Sequence, residues 1–434
     1  MILSAALMHG LGMHLGAWMA RDGEASDYVS GAMYKEIART AEAGKLHALF
    51  LAEQLTNQEM GTERPAGTLD TATVLALMAA VTDRIGLVGT ASTTYNHPYD
   101  VARRFATLDN LSGGRVGWNS VATQNPGTAR VYGGAEHPDH ENRYARAEEF
   151  IDVVLGLWDS WEPGALVGDK KNALFAREEL VHEFNHVGDL FEVHGTLPFP
   201  SSKQGRPVIF QAGASPMGRD QAAKYADCVF TAQHLIEGGQ EFRSDMRSRV
   251  QAYGREPDSI KILPGVSIVL GGTEAEAKER KQSLEDVLGA GPHLEKLARR
   301  VGLPVDALQE LDQPFPAHLL GPDEEFKGSI GFRRSIVGLA VKENMTVRQL
   351  IASYGGGHQQ LVGTPEQVAD MMQEWTSAGA ADGFTLMIDM LPSGVHQVVD
   401  MLVPELQARG LFHTDYEHDT LRAGLGLGEV EAVR

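Results

Sequence analysis

A single cysteine, Cys228, stands in the 434-residue chain. That excludes an intrachain disulfide and any cysteine-ligated zinc or iron–sulfur centre. Cys228 lies within Asp227-Cys-Val-Phe230, which reads as a buried strand and therefore an inert core thiol. Basic residues are also scarce: 38 Lys and Arg against 58 Asp and Glu give a formal net charge of −20. Nucleic acid and anionic membrane surfaces are thus excluded as partners, and with no outstanding acidic run the charge reads as a solubility feature. No apolar stretch approaches the ~20 residues of a membrane span. The N-terminal Met1-Ile-Leu-Ser-Ala-Ala-Leu-Met-His lacks the basic residue a signal peptide places ahead of its apolar run, so a cytoplasmic location is expected. A phosphate-binding G-x-x-x-x-G-K-[ST] loop is missing, and so is a strand-anchored G-x-G-x-x-G with a downstream acid. Gly424-Leu-Gly-Leu-Gly428 follows no strand and carries no nucleotide-loop argument.

What is present is an alternation of short apolar runs with helical patterns. The runs cover residues 2–8, 48–52, 85–89, 116–119, 208–211, 228–231, 262–270 and 384–388. Amphipathic helical stretches separate them at 28–43, 71–81, 99–111, 143–158, 218–225, 241–253, 274–288 and 365–378, and 395–409 follows the last run. Eight βα units in order predict an α/β fold, a (β/α)₈ TIM barrel, over residues 1–434 as one domain. Turn chemistry agrees: Ala43-Gly44-Lys45, Ser112-Gly113-Gly114-Arg115 and Ala378-Gly379-Ala380 end helices in glycine, and Thr364-Pro365 begins one with a cap and a first-turn proline. Two regions exceed ordinary connections, at about 160–206 and 282–357. Such insertions in barrels decorate the face where chemistry is done, and they are candidate lids.

His182-Glu183-Phe184-Asn185-His186 matches the zinc-protease pattern H-E-x-x-H. Zinc needs both histidines on one face of a continuing helix, yet Val187-Gly188-Asp189 follows at once, so loop histidines are expected and no metal site. Ala48-Leu-Phe-Leu-Ala-Glu53 ends a strand in a carboxylate, which reads either as a strand-end acid in solvent or as a site residue. Thr90-Ala-Ser-Thr-Thr94 and Asn119-Ser-Val-Ala-Thr123 place small polar groups at two strand ends, where parallel α/β folds bind ligands. Threonine is also simply a good strand former. His140 and Tyr144 are spaced i, i+4 on one helical face, as site residues or as a cap with a half-buried ring. Gln211-Ala-Gly-Ala-Ser-Pro-Met-Gly218 runs from a strand into a helix N-terminus, whose unpaired N–H groups and dipole suit a phosphate. His9-Gly-Leu-Gly-Met-His14 with Trp18 either shapes a substrate mouth or merely packs.

Taken in order, the Arg84–Asn119 segment, His140-x-x-Arg-Tyr144, Gln211-Ala-Gly-x-Ser215, Gly363-Thr-Pro-Glu-Gln-Val368, Ala381-Asp-Gly-Phe384 and Tyr416-x-x-x-Thr-Leu-Arg422 resemble the bacterial luciferase-like flavin monooxygenases over nearly the whole chain. The resemblance is closest to the branch of nitrilotriacetate, EDTA and dibenzothiophene-sulfone monooxygenases. It implies the oxygenase component of a two-component system: a separate NAD(P)H:flavin reductase supplies reduced FMN (FMNH₂), and O₂ is the co-substrate. A small organic molecule is then oxygenated with C–N or C–S cleavage. Carried over by motif, the cofactor-binding residues are Glu53 (aspartate in most relatives), Thr90, Thr123, His140, Tyr144, Ala214 and Ser215. A histidine thought catalytic in some relatives is replaced here by Gln124, so the resemblance names no catalytic residue. Family habit implies a homo-oligomer, dimer or tetramer. A deazaflavin-dependent oxidoreductase on the same barrel and a metal-dependent barrel hydrolase using His182 and His186 are the alternatives, along with a flavin-binding protein that does no catalysis.

Overall fold

Each of the eight apolar runs becomes a parallel strand because it is buried on both faces, one against helices and one against the barrel interior. The computed structural model describes every residue except 9, 57–67, 135, 214, 288–290, 327, 354–357 and 431–434. In chain order the strands are β1 (Ile2–Leu7), β2 (Ala48–Leu51), β3 (Gly86–Ser92), β4 (Val116–Val121), β5 (Leu166–Asp169), β6 (Leu174–Ala176), β7 (Phe184–Val187), β8 (Glu192–Gly195), β9 (Val208–Ala212), β10 (Cys228–Thr231), β11 (Lys261–Leu270), β12 (Gln359–Gly363) and β13 (Gly383–Ile388). Eight of them close into a parallel ring in the order β1-β2-β3-β4-β9-β10-β11-β13, with β13 pairing back onto β1. The fold is the expected (β/α)₈ barrel.

Alternation along the strands divides two cores. Phe50, Val88, Phe210, Phe230, Leu263 and Met387 fill the barrel interior, where Cys228 is also fully buried. Odd-numbered neighbours such as Leu49 and Leu87 face the helices, as does Trp118 with Phe105, Phe150 and Trp158 around it. The C-terminal motif closes the bottom of the barrel. Tyr416 donates to Leu46 O at 2.8 Å, Leu421 enters the interior cluster, and Arg422 pairs with the buried Asp227 at 2.9 Å.

Helix ends follow local chemistry. Asp70 and Asp139 accept from backbone N–H groups three residues on, capping Thr71–Ala79 and His140–Trp158. The expected Thr364 cap forms a reciprocal capping box with Gln367 ahead of Pro365–Ser377. The stretch expected as one helix over 395–409 instead contains a widened π turn, Val398–Leu402. Pro404 follows it and cannot make the ordinary bond to the carbonyl four residues back.

Both insertions carry secondary structure of their own among the described residues. Residues 160–206 carry two antiparallel hairpins, β5/β6 and β7/β8. Residues 282–357 supply the helices Gly291–Val301, Ile330–Lys342 and Val347–Ser353. These surround a satellite core of Leu297, Val301, Leu308, Phe315, Ile336 and Leu350. Strand β12, which the sequence pattern did not suggest, leads out of this insertion and pairs in parallel with the upper half of β11, beyond the reach of β10.

Candidate active site

The polar strand ends gather at the C-terminal mouth of the barrel. Thr90 on β3 is held from both sides: its hydroxyl donates to Leu51 O at 2.8 Å and accepts from Asn119 Nδ2 at 2.9 Å. Two residues on, Ser92 accepts from Thr123 Oγ1 at 2.7 Å and from the backbone of Thr94 and Tyr95, each at 3.1 Å. Thr123 is thereby tied to β3. Glu53 follows β2, and burial and the charge of Asp70 push its pKa up to about 7, against a backbone N–H of Ser92 and the charge of Arg104. Glu53, Thr90 and Thr123 are thus brought together around Ser92. Three buried polar atoms at the ends of these strands have no protein partner: Thr94 Oγ1, Asn119 Oδ1 and Ser120 Oγ. Buried groups of this kind need a partner, and a polar ligand would supply one.

A second group forms one strand further round. Ser215 caps the helix Pro216–Tyr225, its Oγ accepting from Gly218 N at 3.1 Å. Tyr144 reaches over from the helix His140–Trp158, its ring 4.7 Å from that of His140. Both hydroxyls converge on Gly218, where an added Cβ would lie 2.9 Å from Tyr144 Oη and 3.2 Å from Ser215 Oγ. Glycine leaves a small cradle there, floored by the start of a helix. His140 is largely exposed, and partial desolvation and the charge of Arg143 hold its imidazole below the usual range. Ala214 and His9 lie outside the described residues.

An aromatic wall stands beside the mouth. Tyr95 stacks on Tyr132 with centroids 5.0 Å apart, and its hydroxyl meets His137 Nδ1 at 2.6 Å. Arg143 holds the other imidazole nitrogen at 3.1 Å. The zinc-protease pattern sits elsewhere and is not helical. His186 lies on β7, and the two histidines pair with different carboxylates, His182 with Glu162 at 2.7 Å and His186 with Glu149 at 3.0 Å. No group of three or more side chains suited to a metal occurs among the described residues. Among those residues, too, no helix is long and apolar enough to cross a membrane.

Sequence reasoning did not single out His293 or His358, which come from separate segments: His293 meets His14 of the loop after β1 edge-on with centroids 5.5 Å apart, and His358 packs on Phe230 of the barrel interior at 5.2 Å.

Residues 13–382 match the family described as luciferase-like monooxygenase. The chain belongs to the luciferase-like monooxygenases. Nitrilotriacetate monooxygenase component A of Aminobacter aminovorans is 42% identical over 431 residues, covering 96% of this chain and 94% of that protein. The structure of EDTA monooxygenase from Chelativorans sp. BNC1 superposes with a TM-score of 0.84 at 34% identity, covering 99% of each chain. A riboflavin lyase solved with modified FMN and riboflavin gives a TM-score of 0.82 at 29% identity, over 99% of this chain and 96% of that one. The protein is an oxidoreductase, a flavin-dependent monooxygenase of the two-component kind expected from the motifs.

Proposed function

We propose that the flavin used is FMNH₂, delivered by a separate NAD(P)H:flavin reductase, and that with O₂ it oxygenates a small organic substrate with C–N or C–S cleavage. Bound there, the reduced flavin supplies two electrons, so that one oxygen atom enters the substrate and the other leaves as water. The observation that carries the reading is the convergence of Tyr144 and Ser215 on Gly218 at a helix start. That cradle suits the FMN phosphate, with Ser215 Oγ still able to donate its proton while accepting from Gly218 N. Ala214 would offer its backbone to the same phosphate, and His140 would flank it with Tyr144. Glu53, Thr90 and Thr123, together with the orphaned Asn119 Oδ1, would meet the polar edge of the flavin ring. The residues' share is to hold and orient the cofactor, while the insertions exclude water.

Ser215→Ala should weaken FMN binding about tenfold or more, since hydrogen bonds to charged groups contribute ~1.5–3 kcal/mol. Loss of the helix cap will lower stability by about 1 kcal/mol as well. Riboflavin, which has no phosphate, separates the two effects: it should bind the variant almost as it binds the parent. Equal losses for FMN and riboflavin would remove the turn from the cofactor site.

Tyr144→Phe deletes one hydroxyl and keeps the ring. FMN affinity should fall about tenfold or more, since the hydroxyl would meet the same charged phosphate as Ser215, while the melting temperature barely moves. A lower melting temperature with unchanged FMN affinity would make Tyr144 a packing residue. Turnover with a generic flavin reductase, NADH and FMN tests the reaction itself, because it must consume O₂ in step with substrate.

A further inference from the structure

The two hairpins of the insertion at 160–206 have different surroundings. In β7/β8 one face is covered: the Phe184 ring fills the space a side chain at Gly156 would need, and Val193 is buried. In β5/β6 both faces are open. Leu166 and Val167, which point to opposite faces, are both exposed, as are Leu174 and, at 73%, Phe175. Neither strand pairs with any strand but the other, so each also presents a bare edge of N–H and C=O groups.

This arm is nonetheless tied down at both ends. At its root Trp161 Nε1 donates to Leu197 O at 2.8 Å, Ser160 Oγ accepts from Leu197 N at 3.2 Å, and Glu162 N donates to Leu180 O at 2.9 Å. At its tip Asp169 Oδ1 accepts from Lys171 N at 2.9 Å and Asn172 N at 3.1 Å, which closes the turn. Gly168, at φ +61°, takes up the register shift between the Leu166 and Asp169 pairs.

An isolated two-stranded hairpin is marginal in water, and exposed apolar side chains beside open strand edges are where another chain adds. Charge says which chain. At the tip Lys170 and Lys171 outnumber Asp169, and at the root Glu178 and Glu179 outnumber Arg177. Lys170, Lys171, Glu178 and Glu179 are exposed, and among the described residues none of them makes an ion pair within the chain. The arm is therefore basic at one end, apolar in the middle and acidic at the other. Such a pattern matches itself when turned end for end, which is what a twofold axis does.

We propose that the β5/β6 arm is the surface through which two copies of this chain associate. The arms lie antiparallel across a twofold axis, with Phe175 of each copy at the centre. The Lys170–Lys171 tip of each lies against Glu178 and Glu179 of the other. A standard interface takes about 20–30 residues a side, and residues 162–180 with the ground beside their root supply a patch of that order. A net charge of −20 on each copy opposes close approach in general, so the pairing of opposite ends selects this one approach. The arm leaves from the end of the helix His140–Trp158 that lies away from His140 and Tyr144, so the inference does not depend on the flavin.

Sedimentation velocity on the full chain over a range of concentrations, at ~0.15 M salt where long-range repulsion is screened, tests it. The parent should sediment as a dimer or a tetramer, and Phe175→Asp should halve the assembly. Because Phe175 is exposed, that variant should keep the parent's circular dichroism and FMN affinity. Reversing the tip, Lys170→Glu with Lys171→Glu, should raise the dissociation constant about tenfold or more, and so should reversing the root, Glu178→Lys with Glu179→Lys. All four substitutions in one chain return the net charge to −20 and restore the end-for-end match, so association should return. The tip-reversed and root-reversed chains should also associate with each other when mixed. A monomeric parent, an assembly unchanged by Phe175→Asp, or four substitutions that do not restore association would each overturn the proposal. A parent that stays monomeric until the flavin reductase is added would overturn it too, and would give the arm to that partner.

Discussion

Arg280→Met should lower folding stability by about 3–5 kcal/mol, the usual result of stranding one member of a buried ion pair. Asp389 is 4% exposed and Arg280 16%, joined by bonds of 2.7 and 3.0 Å. The pair links the last barrel strand to the helix Glu274–Asp286, from which the long insertion departs. Without the guanidinium, Asp389 keeps only its own loop's Met390 N–H at 2.7 Å and carries a buried charge. The double variant Arg280→Met with Asp389→Leu should recover most of the loss, because no unpaired charge remains. Denaturant unfolding of parent, single and double variants measures this. Single and double variants equally destabilised would mean that shape, and not charge, sets the cost.

Much of the fold was legible because its strongest determinant is local. A parallel strand buried on both faces shows as a short continuous apolar run, and Ala48–Leu51 or Cys228–Thr231 can be read without their partners. Strand β12 hid because Gln359-Gln-Leu-Val-Gly363 is half-buried and polar at its start, having only β11 beside it. The insertion at 282–357 read as loop because its prolines interrupt the helical pattern, although Leu297, Ile336 and Leu350 build a core across the breaks. His182-Glu-Phe-Asn-His186, expected as loop histidines, places His186 on β7 and His182 ahead of it, so the helical spacing that the pattern needs does not arise.

The two halves of the mouth were legible to different degrees for the same reason. Ser215, Pro216 and Gly218 announce a helix start by themselves, whereas Tyr144 entered through the resemblance of His140-x-x-Arg-Tyr144, its i, i+4 spacing having left a packing role open. The other strand ends meet His14, His293 and His358, which come from three distant segments and are brought to the barrel only once it closes and the insertion folds over it. Thr90 illustrates a subtler limit: its position at a strand end was plain, but its commitment to Leu51 and Asn119 needed coordinates.

Glu53→Gln should make the protein more stable at alkaline pH than its parent. The Glu53 carboxyl is pushed from an ordinary 4.5 to about 7, by burial first and then by Asp70. Below the unfolded value both states bind the proton and the site has no pH dependence. Between about 4.5 and about 7 the folded protein holds a proton that the unfolded chain has released, so stability falls as pH rises. Above that window the folded state carries a buried carboxylate at its full cost, of order 3 kcal/mol at 1.36 kcal/mol per unit. Glutamine resembles the protonated acid and cannot ionise, so the variant should lack this decline and gain on the parent above neutral pH. The same residue lies among the groups assigned to the flavin, which gives a second reading: riboflavin affinity, free of the phosphate's own titration, should change through neutral pH in the parent and much less in Glu53→Gln. Parallel stability–pH curves for the two proteins would show that Glu53 ionises freely, and would remove the desolvated carboxyl from the account of this mouth.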